Sequence, residues 1–372
     1  MNAIAVKRNY ADTLEQTWLD HLCERASDAP TVISTFAGCG GSSLGYSMAG
    51  FRELLAVEWD KHAVAVFRAN FPDVPVFHGD IAKLSVEECL EMAGIQKGEL
   101  DVLDSSPPCQ GYSTAGKRAF TDARNTLFTE FVRLLRGLQP KVFVMENVSG
   151  LVKGKMKLIF AEMLRELKAS GYQVSARLLN AAYYGVPQSR QRLIVIGVRN
   201  DLGISPTHPV GCYAPVSVRQ ALVDCEPSEI VPVAGKNLRM IARLKPAASG
   251  TERNRAAVQV FGKVRNFNFI RLKWSRPSPT IPKTMRVSET FGAGLVMPDD
   301  NRYVSIAELK RLGSFPDAFK FVGSFEHKWA RIGNSVPPLL MRAIAQHIRQ
   351  ELLCKCSGSR FKSAAIRCQD SG

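Results

Sequence analysis

The chain alternates short apolar runs with amphipathic stretches from Thr31 to about Arg199. Short apolar runs bounded by turn residues are typical of buried strands, and amphipathic stretches between them are typical of helices that cover a sheet. This alternation predicts an α/β fold with a doubly wound sheet. The predicted strands are Val32–Phe36, Leu54–Glu58, Val102–Ser105, Val142–Glu146, Gln173–Leu179 and Arg192–Val198, and the predicted helices are Lys61–Asn70, Thr126–Leu138 and Met156–Ala169.

The sequence outside this region is organised differently. From residue 203 to about 293 it is rich in proline, glycine and basic residues and shows no long periodic helix, which predicts a second, irregular domain. Amphipathic helices are predicted at both ends of the chain, over 11–26, 305–312 and 338–353. We expect a large domain over 1–199 with a helical extension over 1–30, a small domain over 200–304, a hinge and helix over 305–328, and a C-terminal segment over 329–372 with a disordered tail from about 355.

Positive charge is concentrated in the irregular region. The formal net charge of the 372-residue chain is +15, and thirteen basic residues between Lys236 and Arg286 are opposed by one acid, Glu252. Such a segment repels itself unless a polyanion lies against it, so nucleic acid is the expected partner. A solvated basic face with no partner is the alternative.

A glycine-rich loop follows the first predicted strand and contains Gly38 and Gly40. Glycine permits a tight turn and lets a ligand approach the backbone. The second strand ends in Glu58-Trp59, where a carboxylate can bind ribose hydroxyls and an indole can stack on adenine, and Asp80 adds an acid at the same edge. These residues predict a site for an adenosine-containing molecule. A nicotinamide-dependent oxidoreductase would use the same loop and acid.

Cys109 follows a predicted strand and two prolines, Pro107 and Pro108. Proline excludes helix, so the chain leaves the strand extended and the cysteine lies where open α/β sheets hold reacting groups. A thiolate there would be a nucleophile, and a buried structural cysteine is the alternative. Glu146 ends another strand at the same edge, where it is either a catalytic carboxylate or a helix-capping acid.

Arg190 and Arg192 precede the apolar strand Leu193–Val198. Alternate residues of an extended segment point to one side, so this spacing predicts a fixed cationic pair.

Several classes of protein are not expected. The nine cysteines show no paired spacing of a structural zinc site or a disulfide framework, so no metal is expected. No apolar run reaches the roughly 18 residues of a membrane span, and the N-terminus lacks the apolar core of a signal peptide. We therefore expect a cytoplasmic protein without a membrane segment.

The order of these motifs resembles the DNA (cytosine-5)-methyltransferase family. The resemblance covers about Val32 to His347, and the Pro-Cys-Gln and Glu-Asn-Val motifs are highly specific. The matching motifs are Phe36-Ala37-Gly38-Cys39-Gly40-Gly41, Glu58-Trp59, Asp80-Ile81, Pro108-Cys109-Gln110, Glu146-Asn147-Val148, Gln188-Ser189-Arg190-Gln191-Arg192, Arg276-Pro277-Ser278-Pro279-Thr280 and Gly333-Asn334-Ser335-Val336-Pro337.

The resemblance implies a Rossmann-like methyltransferase domain and a chemistry for its residues. Cys109 would add to carbon 6 of cytosine, while Glu146 hydrogen-bonds or protonates ring nitrogen 3. Arg192 would contact the exocyclic oxygen, and Arg190 would help to orient the site. Carbon 5 would then receive a methyl group from S-adenosylmethionine, which leaves S-adenosylhomocysteine, and the target base must be flipped out of the duplex.

The resemblance also implies the cofactor site. Trp59 and Ile81 would pack against adenine, Asp80 would accept from its amino group, and Glu58 would bind the ribose. The C-terminal segment would return to the large domain to complete the pocket. The other implied cofactor residues are Phe36, Gly38, Gly40, Pro108, Leu127, Asn334 and Ser335.

The irregular basic domain would be the target-recognition domain of such an enzyme, with duplex DNA as its partner. The segment Gln110–Thr126 resembles the loop that closes over DNA. A stand-alone prokaryotic or phage enzyme is implied, acting as a monomer, with a restriction endonuclease for the same DNA site as a candidate partner. A tRNA cytosine-5 methyltransferase and a catalytically silent DNA-binding relative are the alternatives, and the cysteine-phenylalanine-threonine signature of the tRNA enzymes is missing before Arg276.

Overall fold

The computed structural model describes residues 9–108, 126–154, 156–262, 269–283, 285 and 294–356. Cys109 and the rest of the predicted closing loop up to residue 125 lie outside these described residues. The chain divides into two compact units. Unit 1 comprises Met1–Leu22, Ala181–Arg190 and Tyr213–Leu339, and unit 2 comprises Cys23–Asn180, Gln191–Cys212 and Leu340–Gly372.

The elements are numbered along the chain. The strands are β1 Thr31–Thr35, β2 Arg52–Glu58, β3 Val76–His78, β4 Val102–Ser105, β5 Val142–Val148, β6 Tyr172–Asn180, β7 Gln188–Ser189, β8 Gln191–Arg199, β9 Ile270–Arg271, β10 Ser278–Pro279 and β11 Leu295–Val296. The helices are α1 Tyr10–Leu22, α2 Gly41–Met48, α3 Lys61–Asn70, α4 Val86–Ala93, α5 Thr126–Leu138, α6 Met156–Ala169, α7 Val218–Ala221, α8 Gly235–Ile241, α9 Gly250–Phe261, α10 Ile306–Leu312, α11 Phe325–Asn334, α12 Pro338–His347 and α13 Cys354–Cys356.

Unit 2 is built on a seven-stranded sheet with the order β3-β2-β1-β4-β5-β8-β6. Strands β1 to β5 pair in parallel, and β8 pairs antiparallel with both β5 and β6. This sheet confirms the α/β, doubly wound fold that the sequence alternation predicts. From β1 to β3 each new strand is added toward one edge of the sheet, and β4 and β5 are added toward the other edge, so the strand order reverses between β1 and β4. Ligands of open α/β sheets bind at such a reversal, beyond the carboxyl ends of the strands.

The helices of unit 2 begin where polar side chains cap them. The Asp60 carboxylate accepts from two backbone N–H groups at the start of α3, and the Ser85 hydroxyl caps α4. Helix α5 directs Phe131, Leu134 and Leu138 into a core that also receives apolar side chains from the sheet. Helix α12 continues into a π-helical turn over Ile348–Leu353, so the predicted helix over 338–353 is confirmed as one helical segment.

Unit 1 contains more helix than the sequence predicts. Helix α9 has 12 residues and begins at a capping box in which Ser249 and Glu252 bond each other's backbone N–H groups. The expectation of no long helix between residues 203 and 293 is therefore wrong. The sequence of α9 has no clear apolar periodicity that would predict a helix, because few of its side chains are buried. Ala256 and Ala257 are among the buried ones. The hinge region also contains a helix that was not predicted, because α11 begins at Phe325.

The N-terminal helix belongs to unit 1, whereas the sequence pattern predicts that it is part of the large domain. It covers residues 10–22 rather than 11–26. The Tyr10 hydroxyl donates to the Arg311 carbonyl over 3.3 Å, and Trp18 meets Phe319 edge to face. These contacts explain why α1 groups with the helices near the C-terminus rather than with the sheet.

Across the described parts of the chain, no helix is both long and apolar enough to cross a membrane.

Gly197 offers a test of the sheet's packing. It lies directly opposite Phe143 in the β5–β8 pair, and an added Cβ would overlap the fully buried Phe143 ring. We expect Gly197→Ala to lower the free energy of unfolding by roughly 1–3 kcal/mol, since the ring has no room to move. Urea denaturation measures this, with Gly150→Ala as the control because the nearest atom to its added Cβ is 4.0 Å away. Equal stability of the two variants would contradict the packing described.

Candidate active site

The loop between β1 and α2 has an unusual backbone. Phe36, Gly38 and Gly40 have φ angles of 56°, 59° and 92°, in the left-handed region. An added Cβ at Gly40 would come within 2.5 Å of Phe71 Cε2, whereas an added Cβ at Gly38 would meet nothing within 4 Å. Gly40 is therefore required for packing against α3, and Gly38 leaves open space above the backbone.

Glu58 ends β2 and holds this loop. Its Oε2 accepts from the Gly38 N–H over 2.8 Å, and its Oε1 accepts from the N–H groups of Trp59 and Asp60 over 2.9 and 2.8 Å. The side chain is largely buried, with 9% of the residue exposed. A carboxylate oxygen can accept more than one hydrogen bond, so Glu58 retains acceptor capacity for a ligand. The sequence indicates a ligand-binding acid, and only the structure shows that it also organises two loops.

The predicted adenine residues differ in exposure. Trp59 is 78% exposed, which is rare for so large an apolar ring and leaves its face free for stacking. Asp80 is exposed, and its Oδ1 accepts from the Ala82 N–H over 3.1 Å. Ile81 is 4% exposed and packs into the core of unit 2, so it presents little surface to a ligand.

Two further predicted cofactor residues lie on either side of residues 109–125, which are outside the described residues. Pro108 is exposed and is the last described residue before Cys109. Leu127 lies in the first turn of α5, partly buried against the core. The predicted nucleophile, Cys109, lies between them and outside the described residues.

Glu146 and Arg192 form an ion pair at the end of β5. Arg192 Nε lies 2.6 Å from Glu146 Oε1, and each side chain is only 12% exposed. Arg192 is opposite Val148 and Glu146 is opposite Ile194 in the antiparallel register, so the two side chains are diagonal neighbours on one face. The guanidinium fixes the orientation of the carboxylate in a site that water hardly reaches.

Asn147 joins the ends of two strands. It is 5% exposed, and its amide donates to the Pro107 carbonyl over 3.2 Å. Because Pro107 lies between β4 and Cys109, this bond fixes the start of the cysteine segment beside Glu146. The sequence indicates Asn147 only as part of a motif, although a polar residue at the end of an apolar strand is a usable signal.

The two arginines of the predicted cationic pair have different partners. Arg190 belongs to unit 1, is 3% exposed and donates to the Ile281 carbonyl over 3.4 Å. Arg192 belongs to unit 2 and pairs with Glu146. The chain passes from one compact unit to the other between these residues, and their side-by-side orientation stays a prediction.

Asn334 and Ser335 lie at the end of α11 in unit 1. Asn334 is exposed, and the Ser335 hydroxyl donates to the Arg331 carbonyl over 2.8 Å.

Comparison with known proteins decides the family. The model of the family described as C-5 cytosine-specific DNA methylase matches residues 30–350. The chain belongs to this family of DNA methylases.

Several proteins similar to this methylase are bacterial type II methyltransferases. It is 36% identical over 335 residues to the type II methyltransferase M1.HphI of Haemophilus parahaemolyticus, with 86% of each chain covered. It is 33% identical over 363 residues to the type II methyltransferase M.XorII of Xanthomonas oryzae pv. oryzae, covering 87% of this chain and 85% of the relative. These matches confirm the resemblance that the motifs indicate and exclude the nicotinamide-dependent oxidoreductase.

Solved structures share the fold of the methylase. A crystal structure of a DNA modification methyltransferase encoded within a prophage (E. coli) matches with a TM-score of 0.67 and 27% identity, covering 86% of this chain and 99% of that one. Spodoptera frugiperda DNMT2 matches with a TM-score of 0.62 over the same shares at 19% identity, which shows the fold alone.

Replacing Glu58 tests its role in the loops of the methylase. In Glu58→Ala, the N–H groups of Gly38, Trp59 and Asp60 lose their acceptor. We expect the free energy of unfolding to fall by about 1–3 kcal/mol, because partly buried donors without partners are costly. Urea denaturation measures the change, and Glu58→Gln should lose less since it retains one oxygen. An alanine variant as stable as the wild type would show that the loops do not depend on Glu58.

Proposed function

We propose that this enzyme transfers a methyl group from S-adenosylmethionine to carbon 5 of a cytosine flipped out of a specific duplex DNA sequence. The observation that carries the proposal is the nearly buried Glu146–Arg192 pair, next to the Asn147–Pro107 bond that fixes the segment leading to Cys109. A carboxylate, a guanidinium and the approach to a cysteine therefore converge at the carboxyl ends of β4 and β5.

Cytosine carbon 5 is a weak nucleophile, so the ring must first become electron-rich. The Cys109 thiolate forms a bond to carbon 6 while Glu146 holds a proton at ring nitrogen 3, which directs electron density to carbon 5. Arg192 reaches the exocyclic oxygen, and Arg190 helps to orient the site. S-adenosylmethionine supplies the methyl group. The carbon 5 proton then passes to water, and its bonding electrons form the carbon 5–carbon 6 double bond as the sulfur–carbon bond breaks. Cys109 leaves as a thiolate, and ring nitrogen 3 returns its proton to Glu146.

Base flipping follows from the depth of this site. Cys109 must approach carbon 6 from a face of the ring, which stacking covers in a duplex, and Glu146 must reach ring nitrogen 3, which base pairing occupies. The target base must therefore leave the duplex before any bond to sulfur forms.

The described residues fit S-adenosylmethionine at the ends of β1 and β2. Trp59 offers an exposed aromatic face for adenine, Glu58 offers acceptor oxygens for the ribose, and Gly38 leaves open space for the methionine end. Asp80 is exposed and can accept from the adenine amino group. We assign the remaining roles by family resemblance to Phe36, Gly40, Ile81, Pro108, Leu127, Asn334 and Ser335.

The basic segment of unit 1 is our candidate for the DNA reader. Of its ten basic residues that the structure describes, eight are exposed: Lys236, Arg239, Arg243, Lys245, Arg255, Lys273, Arg276 and Lys283. Arg271 is excluded from this role, because it is 8% exposed and its guanidinium donates to carbonyls that include those of Ile241, Leu244 and Met297. The expectation that the whole segment faces a polyanion therefore needs this correction.

One face of this segment is concave and basic. Arg243, Lys245 and Arg255 line an open pocket at the start of α9, together with Glu252 and Gln259. Glu252 is bonded to Ser249 in the capping box, and these hydrogen bonds lower the pKa of its carboxyl. The pocket therefore holds three cations against one carboxylate, and this excess of positive charge suits phosphates, while arginines elsewhere in the segment can read guanines.

The same proposal extends to the enzyme's partners. We expect the enzyme to act on duplex DNA as a monomer. We also expect a partner restriction endonuclease that cuts the same DNA sequence, as the type II names of the relatives suggest.

Trapping on 5-fluorocytosine DNA tests the proposed chemistry. Fluorine at carbon 5 cannot leave as a cation, so the wild type with S-adenosylmethionine should form a stable adduct at Cys109. Cys109→Ser should form none and transfer no methyl group, because a hydroxyl is a far weaker nucleophile. Glu146→Gln should retain DNA binding and lower turnover by roughly two to four orders of magnitude.

Mass spectrometry of the trapped peptide gives the result, and Cys89→Ser serves as the matched control because this thiol is buried. An adduct at another cysteine would overturn the assignment. Methyl transfer to tRNA but not to duplex DNA would favour the alternative substrate.

The salt dependence of DNA binding tests the basic face. We expect the triple variant Arg243→Gln, Lys245→Gln, Arg255→Gln to bind every duplex more weakly, with the log–log salt slope reduced by about one for each phosphate that the variant no longer neutralises. Fluorescence anisotropy measures the slopes, and Lys97→Gln, an exposed lysine of unit 2, is the control for loss of a surface charge. An unchanged slope in the triple variant would remove this face from the DNA-binding surface.

A further inference from the structure

Two carboxyl groups that the proposed chemistry does not use lie inside unit 2. Asp104 is on β4 and is 2% exposed. It lies directly opposite Ser34 of β1 in the parallel register, so both side chains point to the same face. Their sequence neighbours Ile33 and Leu103 belong to the hydrophobic core on the other face.

Helix α2 contacts Asp104 from above this face. The fully buried Tyr46 hydroxyl donates to Asp104 Oδ1 over 3.4 Å, and Ser42 also bonds this carboxyl. Helix α2 begins at Gly41, directly after the glycine loop, and β4 leads to Pro107 and Cys109. The Tyr46–Asp104 bond therefore links the segment proposed for the cofactor to the segment proposed for the nucleophile.

Glu53 is the second carboxyl, on β2. A β-bulge follows it, since Val32 pairs with Glu53 but Ile33 pairs with Leu55. Glu53 Oε1 accepts from the Ser43 hydroxyl of α2 over 2.9 Å. Glu53 Oε2 is buried, and within the described residues it makes no hydrogen bond. An ionised oxygen in that position is costly, whereas a protonated one carries no charge.

The charges that face the two carboxyls are negative. Burial and, after it, the Glu53 charge raise the pKa of Asp104 to about 8, although bonds from Ser42 and Tyr46 oppose the shift. Glu146 on β5 adds a smaller increase. Burial raises the pKa of Glu53 to about 7, and the Ser34 and Ser43 hydroxyls beside it oppose the shift. Among the described residues, no lysine, arginine or histidine forms an ion pair with either carboxyl.

We propose that Glu53 and Asp104 form a protonated carboxyl pair that, through Tyr46, positions the glycine loop against the strand leading to Cys109. Loss of both protons places two like charges inside unit 2 and loosens α2 from β4. The pair thus makes cofactor binding weaker in alkaline solution, and this last consequence rests on the proposed use of S-adenosylmethionine.

The sign of the effect follows from the direction of the two pKa shifts. Each carboxyl has a higher pKa in the folded than in the unfolded protein, so the folded state binds more protons between about pH 4 and about pH 8. The contribution of the pair to stability is complete below that window and is lost as the pH rises through it. Tyr46 and Glu146, the other ionisable groups that face Asp104, do not supply a compensating positive charge.

The first test uses the full chain without cofactor. The melting temperature of the wild type should fall by roughly 2–4 °C per pH unit from about pH 6 to about pH 8, as up to two bound protons are lost. The double variant Asp104→Asn, Glu53→Gln mimics the protonated pair and should show a flat profile. Glu91→Gln removes an exposed carboxylate of α4 and should behave as the wild type.

Infrared difference spectra over the same range identify the groups. The wild type should show the band of a protonated carboxyl at neutral pH, and this band should be absent from the double variant. A wild-type profile as flat as that of the double variant, or no such band, would overturn the proposal.

The second test measures S-adenosylmethionine affinity by titration calorimetry. Tyr46→Phe removes only the hydroxyl and should weaken binding by roughly two- to tenfold at neutral pH. The wild type should lose affinity as the pH rises, and the double variant should not. Equal pH dependence in both would overturn the link to the loop. If no variant binds this cofactor at any pH, the proposed function fails, while the melting and infrared results still decide the carboxyl pair.

Discussion

The parallel pairing of β1 to β5 is the constraint on which the site depends. Parallel strands end at the same edge, so the glycine loop after β1, Glu58 at the end of β2 and Glu146 near the end of β5 share one edge of one sheet. The reversal of strand order between β1 and β4 separates the loops that follow these two strands and leaves a crevice between the loops. The proposed cofactor and nucleophile segments follow the two strands on either side of that reversal.

A few hydrogen bonds and one ion pair hold the polar side chains near this edge of the sheet. Glu58 accepts from both loops that it joins, and Asn147 connects the ends of β4 and β5. Arg192 fixes Glu146 with a charge, whereas the hydrogen bonds to the buried Asp104 carboxyl that the described residues supply come from hydroxyls. The guanidinium sets the orientation of one carboxyl, whereas a buried carboxyl with hydroxyl partners favours its proton. Two acids on neighbouring strands therefore acquire different properties from their surroundings.

Most of the sheet and much of the site could be predicted from the sequence. The apolar runs predict the central strands within one or two residues at most ends, because a strand buried on both faces has a nearly continuous apolar signal. Helix α9 could not be predicted in this way, because its exposed surface carries no periodic apolar stripe. The partners of Arg190 and Arg192 could not be predicted either, since alternation describes a continuous strand and the chain changes unit between them.

The sequence by itself determined the family, the fold class and the identity of the residues assigned to chemistry. These depend on local patterns, namely the order of motifs, the apolar periodicity and the residue types that the chemistry requires. Only the tertiary structure decided which of those residues meet. The Glu146–Arg192 pair, the Asn147–Pro107 bond and the burial of Asp104 beneath Tyr46 each join residues that are distant in the chain. Such contacts depend on strand register and helix packing. Both are set by the whole fold, because its interior must be closely packed and its buried polar groups must find partners.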